Sequence, residues 1–305
     1  MKSTAVFSLA LLLPLSVAFG EPIAEGQAAF DRQDYPAALA LWQPLADQGD
    51  VAAENDVGMV YNVQGDYVQG MKWYRKAADQ GNAVAQLNVG SMFNYGWGVP
   101  QDYVEALRWY RMSAAQGYAG AQANIGKMYL NGQGVKQDYA ESMKWLRRAA
   151  DQGDAGAEYA IGLRYENGDG VTQDYGEAMK WYSRAAIQGY ASAQGNLGGM
   201  FFRGEGIPVD YGIAAQWIRK AADQGLRVAQ DNLAKMYFMG RGVSQDYAQA
   251  YMWAILAGDP KGTAAIVKHL TPEQIAAAVQ QAHAWTPTLV RSDLRLLDAD
   301  LRKQG

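Results

Sequence analysis

The dipeptide Asp-Tyr returns at almost constant spacing along this chain of 305 residues. It begins at Asp34, Asp66, Asp102, Asp138, Asp174, Asp210 and Asp246, and the interval is 32 residues once and 36 residues five times. The neighbouring residues repeat as well, as in QDYVEALRWYRMSAAQG from Gln101 and QDYGEAMKWYSRAAIQG from Gln173. Such a period indicates stacked copies of one small unit, so each further motif must be judged by its place in the repeat.

The second half of each unit is predicted to be a helix that buries one face. After Asp174, apolar or small residues recur at helical spacing, namely Tyr175, Ala178, Trp181, Tyr182, Ala185 and Ala186. We expect Asp174 to be the N-cap, Glu177 to complete a capping box and Gly189 to follow the last turn. Trp181 is expected to lie buried in the core of this helix pair.

The first half of each unit is predicted to be another helix, with a glycine in its middle. This glycine is Gly162 in one unit, and its copies are Gly90, Gly126 and Gly198. Because a mid-helix glycine costs about 1 kcal/mol relative to alanine, its recurrence predicts a close helix–helix contact. Turns of the form Gly-X-Gly-Val/Ile join the two halves, and they begin at Gly96, Gly132, Gly168, Gly204 and Gly240.

One helix pair is too small to bury its own apolar face, so neighbouring pairs must stack and share a core. The sequence therefore predicts an all-α protein, an α-solenoid of about seven helix-turn-helix repeats over residues 21–258. Residues 259–305 are predicted to form a C-terminal helical cap and tail. Within them, Thr271 with Pro272 and Gln274 indicates the start of a helix that runs to Trp285. Residues 286–305 are expected to form a short helix or a tail.

Residues 1–20 have the pattern of a secretory signal peptide. Lys2 supplies a positive start, residues 5–13 form an apolar run, and small residues precede an expected cleavage after Gly20. The alternative is an uncleaved anchor, although the run is shorter than the ~20 residues that a membrane span needs. We expect an exported protein, periplasmic in a Gram-negative bacterium and otherwise secreted.

The repeat resembles a known family. Its 36-residue period, Leu/Ile-Gly-X-X-Tyr segment, Gly-X-Gly-Val turn and Asp-Tyr-X-X-Ala-X-X-Trp-Tyr-X-X-Ala-Ala segment are together similar to Sel1-like repeats of the tetratricopeptide-type superfamily, over about residues 22–258. This resemblance implies a right-handed superhelix and a role in protein binding or scaffolding, often in the bacterial envelope, signalling or host contact. A cysteine-rich branch of the family is associated with penicillin binding, but this chain has no cysteine.

Signals for catalysis are absent from the sequence. It contains no His-Glu-X-X-His, Gly-X-Ser-X-Gly or Ser-X-X-Lys motif, and its two histidines, His269 and His283, have no obvious carboxylate partner. The net charge of −4 gives no indication of the basic stripe that a nucleic-acid partner requires. We therefore predict a protein that is not an enzyme and that has no cofactor, no metal and no nucleic-acid partner.

Several weaker motifs are better explained by the repeat. Gly-X-Gly lacks the third glycine and the preceding strand of a dinucleotide site, and the Asn167-to-Gly170 segment lacks the terminal Glu of an EF-hand. The repeated Asp residues are predicted to cap helices rather than to form pairs. Trp/Tyr pairs such as Trp181-Tyr182 could suggest a sugar-binding ladder, but their helical spacing favours core packing.

The predicted binding residues lie on the first helices. In the resembling superfamily, the first helix of each unit lines the concave face. By that analogy, the exposed partner-binding positions are Asn55, Met59, Asn62, Ser91, Asn94, Tyr95, Lys127, Asn131, Tyr159, Glu166, Asn167, Phe202, Arg203, Lys235 and Phe238. Amides can bond an extended peptide backbone and aromatic residues can hold its side chains. The alternative is a solvated face with some packing residues.

Three functional hypotheses follow from these observations. The first is an exported, non-enzymatic adaptor that binds a protein or peptide through the concave face. The second is a protein that binds or hydrolyses cell-wall glycan or β-lactam, for which no nucleophile motif is present. The third is a structural spacer or self-assembling unit. The identity of the partner and the oligomeric state do not follow from the sequence.

Overall fold

The computed structural model describes residues 20–288. The predicted signal segment therefore lies outside the described residues except for Gly20, and residues 289–305 of the predicted cap and tail lie outside them as well. The helices are α1 Gly20–Asp31, α2 Tyr35–Asp47, α3 Val51–Val63, α4 Tyr67–Asp79, α5 Ala83–Tyr95, α6 Tyr103–Ala115, α7 Ala119–Asn131, α8 Tyr139–Ala150, α9 Ala155–Asn167, α10 Tyr175–Ile187, α11 Ala191–Arg203, α12 Tyr211–Asp223, α13 Arg227–Met239, α14 Tyr247–Ala257, α15 Pro260–Ile266 and α16 Pro272–Ala284.

The helices pack in the order in which they follow one another along the chain. The chain forms two compact units, which divide between Gln116 and Gly117. In the first unit α1 to α6 each pack on the next helix, and in the second unit α7 to α14 do the same. Nearest-neighbour packing of helix pairs is the arrangement of a solenoid. The predicted all-α solenoid class is confirmed, and no strand occurs among residues 20–288.

The repeated Asp residues cap the second helices. The side chain of each Asp-Tyr aspartate accepts a hydrogen bond from a backbone N–H two or three residues later, as in Asp174 Oδ1 from Glu177 N at 3.0 Å. The predicted capping box at this helix is wrong, because the Glu177 carboxylate bonds Lys180 Nζ at 2.6 Å instead. The helix that starts after Thr271 does have one, formed with Gln274. Each of these caps satisfies N–H groups that a helix start leaves unpaired.

The mid-helix glycines make the predicted close contacts between the two helices of a repeat. A Cβ atom on Gly162 would lie 2.6 Å from the Tyr182 ring, and one on Gly198 would lie 2.6 Å from Ile218 Cγ1. The first helix can therefore approach the second only because these positions lack a side chain. The second glycine of the turn at residues 96–99 has a similar role, since a Cβ on Gly98 would lie 2.6 Å from the Tyr67 carbonyl oxygen.

The structure corrects one prediction about the core. Trp181 is only partly buried, and the Arg184 guanidinium lies 4.6 Å from the centre of its ring. Tyr182, its neighbour, is completely buried. Both residues lie on the apolar side of the helix, but Tyr182 points at the first helix of its own repeat, where Gly162 leaves room for its ring.

A buried polar residue at the fourth position of each first helix from α3 to α13 ties neighbouring helices together. These residues are Glu54, Gln86, Gln122, Glu158, Gln194 and Gln230. Gln86 Nε2 donates to the Ala78 carbonyl at 3.2 Å, and Gln116 Nε2 donates to Gln86 Oε1 at 2.9 Å. Because Ala78 belongs to the preceding repeat, the glutamine bonds helices on both of its sides. These bonds keep a polar side chain in the core without leaving it unsatisfied.

The C-terminal cap covers the last helix pair. Both α15 and α16 pack on α14, and the Trp285 ring meets the Trp253 ring edge-on at 6.3 Å. The helix that begins after Thr271 ends at Ala284, one residue before the predicted end. Residues 285–288 follow it without helical structure, and Thr288 N donates to the Asp223 carbonyl at 2.7 Å.

Candidate functional site

In the first unit, the predicted binding residues range from buried to exposed. Asn55 is 9% exposed, and its amide oxygen accepts a hydrogen bond from Asn88 Nδ2 at 3.1 Å. The prediction that Asn55 is exposed is therefore wrong, because the residue bonds the first helix of the next repeat. Asn62 is partly buried, and its amide oxygen is buried without a hydrogen-bond partner. Met59 and Asn94 are partly buried.

Ser91 and Tyr95 are the remaining predicted residues of the first unit. Ser91 is partly buried, and its hydroxyl accepts a hydrogen bond from Tyr110 at 3.2 Å. Tyr95 is 37% exposed and stacks on Trp97 at 4.8 Å between ring centres. Tyr67 stacks on the same Trp97 ring at 5.5 Å. Trp97 stands between the two glycines of its turn, so the sequence could have singled it out as the one aromatic residue at that position.

In the second unit, several of the predicted residues reach solvent. Lys127, Asn131 and Asn167 are exposed. Lys235 is exposed and pairs with Asp231 at 2.6 Å. Both of these charged residues line a cavity of about 390 Å³ beside the start of α15. They therefore remain candidates for contact with a partner.

The two predicted phenylalanines pack mainly against their own repeats. Phe202 is partly buried and meets the Tyr211 ring edge-on at 5.1 Å. Phe238 is partly buried too, between Tyr247 and His269, each 5.5 Å away between ring centres. His269 also stacks on Tyr247 at 4.5 Å, which gives this histidine a packing role in the cap.

The structure brings Tyr159, Glu166 and Arg203 together with Tyr182, which was predicted as a core residue, and with Asn196, which the sequence did not single out. The Tyr182 hydroxyl donates to Glu166 Oε2 and accepts from Asn196 Nδ2 at 3.1 Å. Arg203 Nη2 lies 3.6 Å from Glu166 Oε1, and the Tyr159 ring lies 5.7 Å from the Tyr182 ring. We call these five residues the polar cluster. It joins the first helices of two successive repeats through the second helix between them.

Burial fixes the protonation of both tyrosines in the polar cluster. Burial raises the pKa of Tyr182, and its hydrogen bond to Glu166 raises it further. Burial also raises the pKa of Tyr159, and the nearby Glu166 carboxylate adds to this effect. The Tyr182 hydroxyl therefore remains a hydrogen-bond donor to Glu166 at any physiological pH.

The sixth position of the first helix carries another signal that the predicted set omitted. Four of the six first helices from α3 to α13 have asparagine there, namely Asn88, Asn124, Asn196 and Asn232. All four are partly buried. Aligning the repeats by their first helices is enough to find these asparagines. The hydrogen bonds of Asn88 to Asn55 and of Asn196 to Tyr182 depend on packing between helices, which the alignment does not show.

No metal site or membrane span emerges from the geometry. Over residues 20–288, no group of three or more acidic or histidine side chains is placed to hold a metal ion. Asn167 Nδ2 donates to Asp169 Oδ2 at 3.4 Å across the turn that faintly resembled a calcium loop. None of the described helices combines the length and apolar character needed to cross a bilayer.

A family model agrees with the helix pairs. The model described as Sel1 repeat matches seven segments, residues 25–50, 52–82, 83–118, 119–154, 155–190, 191–226 and 227–259. Each segment covers all or part of one first helix and the whole of one second helix. A search of the curated proteins finds no match.

Solved structures share the fold. A Sel1 repeat protein from Oxalobacter formigenes is 34% identical, with a TM-score of 0.71, and the match covers 78% of this chain and all of that one. The protein c5321, a protective antigen of uropathogenic Escherichia coli strains with an SLR fold, is 28% identical, with a TM-score of 0.50. That match covers 92% of this chain and 72% of the other.

Proposed function

The chain belongs to the Sel1 repeat family, and from that premise we propose that it is an exported, non-enzymatic adaptor. It binds a protein or peptide through the faces of its first helices, the surface that is concave in a solenoid. The Sel1 repeats form a scaffold without a catalytic motif, and repeat scaffolds use such surfaces to hold extended ligands. The partner's identity is open, because one frame can serve unrelated ligands.

The observation that carries this proposal is the contrast between two positions of the first helix. The third position is always a buried alanine, namely Ala53, Ala85, Ala121, Ala157, Ala193 and Ala229. The ninth position varies, with five residue types in six repeats, namely Met59, Ser91, Lys127, Leu163, Gly199 and Lys235. Stacking requires the same residue each time, whereas a surface that recognises an irregular ligand requires different ones.

Export rests on the sequence of residues 1–20. The charged start, the apolar run and the small residues before position 21 support a cleaved signal peptide. We expect the mature chain to begin at residue 21 and to be found in the periplasm or the medium. Mass spectrometry of the chain recovered from each fraction tests this, and an intact residue 1 on membrane-bound protein would favour the anchor alternative.

The binding face can be tested by affinity capture with matched baits. The wild-type bait is residues 21–305, and the first-helix variant carries Lys127→Ala, Asn131→Ala and Lys235→Ala. The control carries Lys144→Ala, Lys180→Ala and Gln216→Ala, which are exposed positions of second helices. Both variants lose two positive charges and one amide, and circular dichroism checks their helical content.

The outcomes of this capture separate the hypotheses. A protein held by the wild type and the control but lost by the first-helix variant supports the proposal. A protein lost only by the control moves the site to the second helices. If no bait holds a protein, the adaptor function fails. Hydrolysis of a chromogenic β-lactam and light scattering over a concentration series then test the glycan and self-assembly hypotheses.

A further inference from the structure

The polar cluster contains a side chain at which α9 differs from the other first helices from α3 to α13. The twelfth position of the first helix is Glu166 in α9, but it is Asn62, Asn94, Leu130, Phe202 and Phe238 in the others from α3 to α13. A carboxylate there is therefore not needed for stacking. Its side chain is only 18% exposed, and partial burial of a charge is unfavourable unless other groups compensate for it.

Arg203 provides part of that compensation from the next repeat. Its Nη2 bonds Glu205 Oε2 at 2.6 Å and lies 3.6 Å from Glu166 Oε1. Hydrogen bonding to Glu205 raises the pKa of Arg203, and the charge of Glu166 adds to this effect. One guanidinium thus faces two carboxylates, which leaves one negative charge in excess.

Gly199 determines where the Arg203 side chain lies. A Cβ atom on Gly199 would come within 2.8 Å of Arg203 Nη1, so Arg203 folds back over its own helix at a position that has no side chain. The Arg203 side chain remains 50% exposed. It lies over the surface of the helix rather than in the core, so another cation could replace it without repacking the repeat.

Aromatic rings border the cluster. Tyr159 lies between Tyr182 at 5.7 Å and Tyr190 at 5.1 Å between ring centres, and it is partly buried. Carboxylates next to tyrosine rings favour ammonium and guanidinium groups, which gain both ion pairing and cation–π attraction. An acidic ligand group would meet the excess negative charge instead.

We infer that the polar cluster, together with Glu205, is a subsite for a lysine or arginine side chain of the bound peptide, with Arg203 as its internal competitor. The incoming cation pairs with Glu166 and Glu205 and displaces the Arg203 guanidinium toward solvent. Tyr182 and Asn196 hold Glu166 in place through the shared hydroxyl. This inference rests on the proposed function, because it specifies which peptides the first-helix face prefers.

The test uses three fluorescein-labelled peptides of one design, a Gly-Ser-X-Ser unit repeated three times with X as Lys, Gln or Glu. Each is titrated by anisotropy against the chain from residue 21 to 305. The Lys peptide is expected to bind at least about ten-fold more tightly than the other two. Tighter binding of the Glu peptide, equal binding of all three, or no binding of the Lys peptide at about 1 mM overturns the inference.

Two variants separate a specific subsite from general attraction. Glu166→Gln removes one charge but keeps an oxygen that can accept from Tyr182, and it is expected to weaken the Lys peptide about five-fold. Glu177→Gln makes the same change on the second helix of the same repeat, where Glu177 pairs with Lys180, and is expected to change affinity less than about two-fold. Equal effects of the two variants would show that only net charge matters.

Arg203→Ala gives the most specific result, because this removal of a polar contact is expected to strengthen binding of the Lys peptide rather than weaken it. Loss of the internal competitor should tighten binding of the Lys peptide several-fold. Weaker binding would mean that Arg203 itself contacts the ligand, which overturns the inference. Glu205→Gln, in the turn after α11 where the Glu205 side chain is 27% exposed, is a second variant that leaves the helices intact and should weaken binding. A native partner that is captured normally but is insensitive to Glu166→Gln would overturn the subsite and leave the adaptor function standing.

Discussion

The repeats at residues 83–118 and 155–190 have the same helix pair and the same glycine contact, but they differ in charge at three positions of the first helix. Both place a glycine against a buried tyrosine, Gly90 against Tyr110 and Gly162 against Tyr182. Elsewhere the second repeat has charged residues where the first is neutral. Glu158 replaces glutamine, Arg164 replaces methionine and Glu166 replaces asparagine.

Two of these charged residues, Glu158 and Arg164, come with a matching change nearby. Opposite Glu158 stands Arg184, where the other repeat has Met112, and its Nε donates to Glu158 Oε1 at 2.8 Å. Arg184 Nη2 also bonds the Ala150 carbonyl at 3.0 Å, the backbone group that a glutamine at Glu158 would bond. Close to Arg164 stands Asp169, 3.6 Å away, where the other repeat has a tryptophan. A repeat can therefore hold a buried charge where a residue of opposite charge replaces a neutral residue nearby.

The largest effect should come from the tyrosines that the two repeats share. Tyr110→Ala and Tyr182→Ala each remove a fully buried ring from a glycine contact and should lower the free energy of unfolding by about 3–5 kcal/mol. Chemical denaturation followed by circular dichroism measures this. Trp181→Ala, at a partly buried ring, should cost about 1–3 kcal/mol. A larger loss for Trp181 than for Tyr182 would contradict the assignment of the core.

The next effect tests whether the charged pair is coupled. Arg184→Met leaves Glu158 buried with a weaker set of partners and should cost about 1–3 kcal/mol, a value reduced by the 49% exposure of Arg184. Adding Glu158→Gln recreates the pair found in residues 83–118 and should restore most of the stability. The double-mutant cycle measures the coupling, and additive losses would show that the two replacements are independent.

A smaller effect is expected at the stack of Tyr95 on Trp97, because residues 155–190 have Asn167 and Asp169 at the matching positions. Tyr95→Ala removes a ring that stacks on Trp97 and should cost about 1 kcal/mol. Lys127→Ala, at an exposed position of another first helix, should change stability by less than about 0.5 kcal/mol. Denaturation midpoints of the two variants test the difference, and a loss at Lys127 as large as that at Tyr95 would contradict it.

The smallest effect is a pH dependence that residues 83–118 lack at the matching position, since glutamine does not titrate. Burial raises the pKa of Glu158 above 4.5, and Arg184 offsets only part of this. A carboxyl with a higher pKa in the folded chain binds its proton more tightly there, so stability is lost as it ionises. The unfolding free energy of Glu158→Gln relative to the wild type should therefore rise as the pH increases above 4.5. A difference that narrows with rising pH would contradict this.

The sequence was sufficient for the frame because each element of the frame depends on local residues that recur. Asp174, Gly162 and Gly189 act through their own turn or the facing helix of their repeat, and their copies in other repeats support the same interpretation. The ranking of Trp181 and Tyr182 could not be predicted in the same way. Trp181 and Tyr182 both lie on the apolar side of their helix, and their burial differs because each side chain packs against a different neighbour.

The candidate site was harder to predict than the frame. Asn55 is buried because of Asn88 in the next repeat, and Glu166 meets Tyr182 and Arg203, which belong to two other helices. Such contacts depend on how repeats stack, which the pattern of a single helix does not contain. The sequence indicated the helices that carry the site, but not which of their side chains come together.

The central claim is that the variable first-helix positions hold the partner while the second helices support them. A photo-crosslinking amino acid at Lys127 or at Lys144 tests it most directly, because both are exposed and both belong to residues 119–154. Each variant is expressed in cells with the native signal segment and irradiated. We expect a crosslinked partner from position 127 and none from position 144. Adducts from position 144 alone, or none from either position, would contradict it.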